Sequence, residues 1–499
     1  MSNSDDRNTP TGGDTPASPI TRQRLIALGL GPVAMALVLL LPPPQALTPE
    51  AWRLVALTCW MVIWWMTEAA PVPVTALLPI TMMPLLEISG QKAVAASYGH
   101  PLIFLFLGGF LIAAAMQRWG LHRRIALKIV KTVGSGPEGI IAGFMLATAF
   151  LSMWISNTAT TVMMFAVAIS MVEFIASHID DQEIARRFGV ALLLGVAYSA
   201  SIGGVATLIG TPPNTLLASF LSDSYNITIS FGTWMLMGLP LVVIMLPLSW
   251  LLLCKVIFPV KGVDLSGAGK LIDQELAALG EMSRGERIVL VIFLLTAFLW
   301  ISRALIVSST GLPISDTSIA LFSATLLFVL PASIERGHFT VEWDAAKQVP
   351  WGVLLLFGGG LALAGAFKST GLAAAIGQMV GGLGAVDITL IILVTIIAII
   401  FLTEITSNTA TTATFLPILG AVAVGLGQSP MVLAIPAALA ASMAFMMPVA
   451  TPPNAIVFSY DGMHIADMMK AGLWLNLITV GLVYVAMLTL APWVFSLTL

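Results

Sequence analysis

Ser156-Asn157-Thr158-Ala159-Thr160-Thr161 occurs a second time as Ser407-Asn408-Thr409-Ala410-Thr411-Thr412. Each copy is followed downstream by the same tetrapeptide, Thr211-Pro212-Pro213-Asn214 after the first and Thr451-Pro452-Pro453-Asn454 after the second. Aligning Ser156 with Ser407 also aligns Phe106 with Phe357, Gly108-Gly109 with Gly359-Gly360, Gly120-Leu121 with Gly371-Leu372 and Phe150-Leu151 with Phe401-Leu402. The chain is an internal duplication, lengthened in its first copy by the loop that carries Arg186. Each hexapeptide is polar yet lies within an apolar run. Hydroxyl and amide groups in that setting are costly unless they hold something or one another, so a duplicated polar pair points to one shared site.

The 499 residues are 58% hydrophobic and only 9% charged, with a mean hydropathy of +0.97. A water-soluble core cannot bury so much apolar surface, so the chain reads as an integral membrane protein. Its apolar runs, such as Leu25 to Leu41 and Leu473 to Leu490, are continuous rather than alternating, which favours helices over a β-barrel. Residues 1–20, rich in Ser, Thr, Pro, Gly and Asp, read as a disordered tail. Arg22 and Arg24 precede the first apolar run in the manner of a secretory signal, but that run reads as a retained first span. Cys59 and Cys254 define neither a disulfide framework nor a metal cluster. The net charge of −3 comes with no basic stripe, so a nucleic-acid partner is not expected.

With a cytoplasmic N-terminus, spans fall at roughly 25–41, 50–68, 71–88, 102–117, 187–220, 232–258, 287–306, 315–332, 351–367, 431–459 and 470–496. All of the 22 Lys and Arg residues except Arg53, Lys92, Arg303 and Lys368 then lie on the inner side, and the C-terminus lies outside. Two apolar segments remain, 138–173 and 387–425, and these carry the hexapeptides. Basic stretches flank the first on both sides (Arg118 to Lys131, then Arg186-Arg187), so it should enter and leave by the cytoplasmic face as a re-entrant hairpin. By the same reasoning the second enters from outside. The expected fold is an all-α polytopic membrane protein of about 11 transmembrane helices plus two re-entrant helical hairpins in an inverted repeat. Residues 21–258 form the first half, 259–286 a cytoplasmic linker and 287–499 the second half, with broken helices at about 187–220 and 431–459. Secondary transporters use this kind of duplication to place a binding site at the midplane between discontinuous elements.

Ser-Asn-Thr at a hairpin tip offers hydroxyl and amide oxygens and caps the outgoing helix, whose N-terminal N–H groups attract an anion. Thr-Pro-Pro-Asn breaks the facing helix, because proline removes a donor and drives the preceding residue out of helical geometry. The carbonyls of Gly210 and Ala450, just before each break, become candidate ligands for a hard cation such as Na+. Gly203-Gly204 and Gly210 are expected to loosen the first break. Glu404 lies three residues before Ser407, where the first copy has Met153, and reads chiefly as a structural hydrogen-bonding group for the broken helix. Glu68 reads as an interfacial residue. No Lys or Arg is near either motif, so an anionic substrate would have to be neutralised by helix termini, amides, hydroxyls and co-bound cations.

At these motifs the chain resembles the divalent anion/sodium symporter family, whose signatures are paired Ser-Asn-Thr tips and paired Thr-Pro-Pro-Asn-like breaks. The resemblance runs from about residue 25 to 496. It implies an elevator-type transporter that works as a homodimer in the plasma (inner) membrane of a bacterium. It implies a first Na+ site at Ser152, Ser156, Asn157 and Gly210, and a second at Thr403, Thr406, Asn408 and Ala450. It implies that substrate carboxylates meet Asn157, Thr158, Ser407, Asn408 and Thr409 from the tips, and Thr211, Thr451 and Pro452 from the breaks. Without a soluble regulatory insert, the chain is similar to the bacterial C4-dicarboxylate carriers, which implies sodium-coupled import of succinate, malate or fumarate. The other transporter readings are sodium-independent or proton-linked dicarboxylate exchange, and carriage of citrate or sulfate. An enzyme is not expected, since none of the five His residues lies near a motif serine in sequence. A passive channel would share the hairpins but not concentrative uptake.

Overall fold

The computed structural model describes residues 22–498 apart from 135, 180, 261–267, 336 and 382–386. The expected tail over 1–20 and part of the linker lie outside the described residues. The described chain is almost entirely helical. Its β structure is one short antiparallel pair, Pro331–Ser333 with His338–Phe339. Nine of its helices are long and apolar enough to cross a membrane.

Each hexapeptide opens the second arm of a helical hairpin. The first hairpin runs Pro137–Ser152, breaks over Met153 to Ser156, and resumes as Asn157–His178. The second runs Ile388–Thr403, breaks over Glu404 to Ser407, and resumes as Asn408–Gly425. Ser156 caps its helix by accepting from the Ala159 N–H at 3.3 Å, whereas Ser407 is extended but makes no side-chain cap. The incoming arms, at 16 residues each, are half-helices in length. The outgoing arms are longer than half-helices: both 157–177 and 408–425 reach spanning length.

The facing helices are broken as their prolines require. Gln182–Gly204 resumes as Pro212–Tyr225, and Met431–Ala441 resumes as Pro452–Phe458. Thr211 and Thr451 precede the prolines in near-identical extended geometry, at φ −141° and −142°. Behind each break an asparagine takes up the freed carbonyls. Asn214 Nδ2 donates to Thr207 O at 2.7 Å and Gly204 O at 3.2 Å; Asn454 Nδ2 donates to Met447 O at 3.0 Å and Ala444 O at 3.4 Å. The fourth residue of the tetrapeptide therefore stabilises the interruption that its prolines create.

Elsewhere the pattern differs from the expected spans. Segment 71–88 is not one helix but two short ones, Val72–Thr75 and Leu78–Leu85, each started by prolines. Two further helices, Leu121–Val133 and Leu372–Gly381, follow the aligned Gly-Leu pairs. The glycines there, Gly120 at φ +69° and Gly371 at φ +78°, occupy the left-handed region that turns the chain before each helix.

The two halves interlock. Pro101–Arg118 of the first half packs on Asp316–Val329 of the second, and Trp351–Ser369 of the second packs on Val72–Leu85 of the first. The aligned glycines permit this close approach: a Cβ on Gly108 would lie 2.7 Å from the Ala320 Cβ, and one on Gly359 would lie 2.8 Å from the Ala76 Cβ. The repeat partners Phe106 and Phe357 meet edge to face, with ring centroids 5.0 Å apart, so the axis relating the halves passes between them. Part of the linker forms Ala268–Ala278, tied to Leu121–Val133 by ion pairs of Arg123 with Glu275 and Lys131 with Asp273.

Candidate functional site

The two hairpin tips and the two helix breaks converge on one cavity of about 880 Å³. All eight residues expected to meet substrate line it: Asn157, Thr158, Thr211, Ser407, Asn408, Thr409, Thr451 and Pro452. Phe106 and Phe110 form part of the wall. Among the described residues no Lys or Arg lines this space. An anion within it meets amides, hydroxyls and the N-termini of helices that begin at Asn157, Pro212, Asn408 and Pro452.

Beneath the first tip the oxygens crowd together. The Ser152 hydroxyl, fully buried, lies 2.6 Å from Asn157 Oδ1 and 2.7 Å from the Ala200 carbonyl. One hydroxyl proton serves only one of these acceptors at a time. Turning the Asn157 amide over lets its nitrogen donate to Ala200 O (3.1 Å), Ser152 Oγ (2.6 Å) and Gly210 O (3.3 Å). So turned, the amide satisfies all three acceptors. A hard cation bound among the oxygens of Ser152, Asn157, Ala200 and Gly210 would instead favour the opposite orientation, with Asn157 Oδ1 as a ligand.

The second tip repeats this arrangement. Thr403 Oγ1, also fully buried, lies 2.7 Å from Asn408 Oδ1 and 3.1 Å from Ala441 O. Thr403 and Asn408 are the repeat partners of Ser152 and Asn157. The remaining expected cation ligands are placed differently. The Ser156 hydroxyl is engaged as a helix cap, and the Thr406 hydroxyl bonds within its own hairpin, to Leu402 O (2.8 Å) and Thr411 Oγ1 (2.7 Å). Ala450 lines the cavity, and its N–H bonds to Met447 O.

The glycines of the first break provide close packing rather than looseness. A Cβ on Gly204 would lie 2.6 Å from Asn157 Oδ1, and one on Gly210 would lie 2.9 Å from the Gly204 Cα. A side chain at either position would displace the oxygens just described.

The family model described as the sodium:sulfate symporter transmembrane region matches residues 22–497. The chain belongs to this family. It is 41% identical over 485 residues to the sodium-dependent dicarboxylate transporter SdcS of Staphylococcus aureus strain bovine RF122, covering 96% of this chain and 93% of that one. It is likewise 41% identical over 475 residues to SdcS of Staphylococcus saprophyticus, covering 94% and 92%. Two solved structures share its fold at 14% sequence identity. They are the Alcanivorax borkumensis YdaH transporter (TM-score 0.59, 88% of this chain and 98% of that one) and Neisseria gonorrhoeae MtrF (TM-score 0.58, 95% of each).

Beside the second break, Glu404 is 3% exposed and completely engaged. Its carboxylate accepts from the N–H groups of Phe445 (2.8 Å), Met446 (3.0 Å) and Met447 (3.0 Å) and from Asn476 Nδ2 (2.7 Å). It thus satisfies the main-chain donors that the second break leaves free. The first break has no such carboxylate. There the Val205 and Ala206 N–H groups turn back to Ile202 O and Gly203 O, while Thr207 Oγ1 accepts from Gly210 N (3.1 Å) and donates to Met153 O (2.5 Å). Two carbonyls that sequence reasoning did not single out, Ala200 and Ala441, complete the oxygen clusters. An alanine carries no side-chain signal for such a role. For Ala441 alone, position at the C-terminal end of its helix, where carbonyls lack intrahelical partners, is a clue.

Proposed function

We propose that this chain is a sodium-coupled symporter that imports C4-dicarboxylates such as succinate, malate and fumarate. The observation that carries this reading is the pair of matched polar clusters, Ser152/Asn157 and Thr403/Asn408, directly beneath the tips of one cavity that no Lys or Arg lines among the described residues. Na+ bound in both clusters places positive charge behind the tips. Each tip then presents its amide, its hydroxyls and a helix N-terminus to one carboxylate of the substrate. Ions and dianion thereby stabilise one another, which is the thermodynamic basis of symport. The SdcS relatives are sodium-dependent dicarboxylate transporters, which supports this substrate class over sulfate or citrate. Complete hydrogen bonding of Glu404 disfavours the proton-linked alternative, since protonating it would leave a main-chain donor facing a donor.

Alternating access in this reading is of the elevator type. The tips and broken helices carry the site as a unit against the interlocked helices around Phe106 and Phe357. The protein works as a homodimer in the bacterial plasma membrane, with its N-terminus cytoplasmic and its C-terminus external. The cavity reaches Gln117 and Gln348, each next to a basic residue (Arg118 and Lys347) assigned to the inner side, which supports reading this conformation as open to the cytoplasm.

Reconstituted vesicles provide the test. An inward Na+ gradient should drive accumulation of labelled succinate, and an equal K+ gradient should not. Accumulation indifferent to Na+ would overturn the coupling. A competition panel of succinate, malate, fumarate, citrate, 2-oxoglutarate and sulfate would decide the substrate class.

A further inference from the structure

Glu68 is the one ionisable side chain lining the central cavity among the described residues. It is exposed, and its carboxylate makes no hydrogen bond or ion pair with any of the described residues. Three features make its presence unfavourable. Its backbone lies in the left-handed region at φ 46°, ψ 33°, a conformation that Gly or Asn adopts at lower cost. It caps the C-terminus of Pro49–Thr67, where a negative charge opposes the helix dipole. It also places a negative charge beside a cavity otherwise suited to anions. A carboxylate placed where backbone, dipole and ligand all disfavour it points to a role for the side chain itself.

We propose that Glu68 is a specificity-determining residue that discriminates among anionic substrates by their charge. The inference rests on the dicarboxylate reading above. Glu68 lines both the cavity and an adjoining surface depression that also contains Gln23 and Arg24, so it faces an anion that enters or leaves the cavity by the cytoplasmic mouth. A tricarboxylate pays one more unit of repulsion than a dicarboxylate. At several ångströms in a partly hydrated mouth, that extra unit corresponds to roughly two- to tenfold in relative affinity. Succinate tolerates the repulsion because the tips and two cations hold it. Citrate, whose third carboxylate finds no Lys or Arg in the cavity, meets it uncompensated.

The experiment measures inhibition of sodium-driven succinate uptake into inside-out vesicles, whose outer surface is the cytoplasmic face, by citrate added to that face at a pH where citrate is fully ionised, in wild type, Glu68→Asn and Glu68→Asp. Asn suits the left-handed backbone and removes the charge; Asp keeps the charge. Glu68→Asn should lower the ratio of citrate to succinate half-saturation by about two- to tenfold, and Glu68→Asp should leave it near wild type. The wild-type ratio should also fall as ionic strength rises, and the Asn variant should lose that dependence. An unchanged ratio in Glu68→Asn, or equal changes in both variants, would overturn the proposal. A purely structural role would depress uptake of both substrates alike. Failure of wild type to carry succinate at all would instead remove the dicarboxylate reading.

Discussion

Asn157 and Asn408 are each asked to serve two partners, a buried oxygen cluster below and the cavity above. Replacing either with Ala removes a cation ligand and a substrate contact together. We expect Asn157→Ala and Asn408→Ala to lower apparent Na+ affinity at least about tenfold, with surface expression retained. Uptake measured against a Na+ titration checks this, and normal activity in both variants would remove the site. Ser152 and Thr403 separate the roles, because they lie beneath the tips and do not line the cavity. Ser152→Ala and Thr403→Val should raise the Na+ requirement while leaving succinate half-saturation at saturating Na+ within about threefold of wild type. The side chains in these clusters were legible in the sequence because their chemistry is conspicuous in an apolar run. Thr406 was less legible, since a threonine hydroxyl bonded to the carbonyl four residues back looks the same in sequence as one turned toward an ion.

At the scale of the element, the two breaks solve one problem in two ways. The second break depends on Glu404 for three main-chain N–H groups, and the first supplies its own turns. Glu404→Ala should therefore destabilise the protein by about 2–3 kcal/mol or more, seen as a lowered Tm in detergent. Met153→Ala at the aligned position should do far less, because Met153 contributes its carbonyl to that network. Gly204→Ala tests the packing of the first break. It should impair Na+ dependence, whereas Gly365→Ala, where a Cβ meets nothing within 4 Å, should be silent. The Thr-Pro-Pro-Asn interruptions were readable because proline restricts its own residue and its predecessor. The split of 71–88 was also written in Pro71, Pro73, Pro79 and Pro84, but hydropathy alone reads through prolines and returns one span.

For the whole molecule, duplication and the division into halves could be read from repeated motifs. How the halves embrace could not. Gly108 fits against Ala320 and Gly359 against Ala76, and neither contact is visible within one copy alone. The orientation of the cavity gives a prediction at this scale. Val449 lines it and is 76% exposed. In a variant lacking Cys59 and Cys254, Val449→Cys should react with a membrane-impermeant thiol reagent from the cytoplasmic side when Na+ and substrate are absent. Labelling only from the external side would reverse the assigned orientation. Arg53, Lys92, Arg303 and Lys368 serve as reporters of the opposite face once replaced by Cys.

The Ala200 and Ala441 carbonyls have a practical consequence for genetics. Both residues are already alanine, so alanine scanning passes over them, and almost any other replacement leaves the carbonyl in place while disturbing the packing around it. A functional map drawn from side-chain mutants would thus contain two blind spots, one under each tip. Replacing a main-chain amide by an ester through semisynthesis, which weakens the preceding acceptor without altering any side chain, is the substitution able to register them.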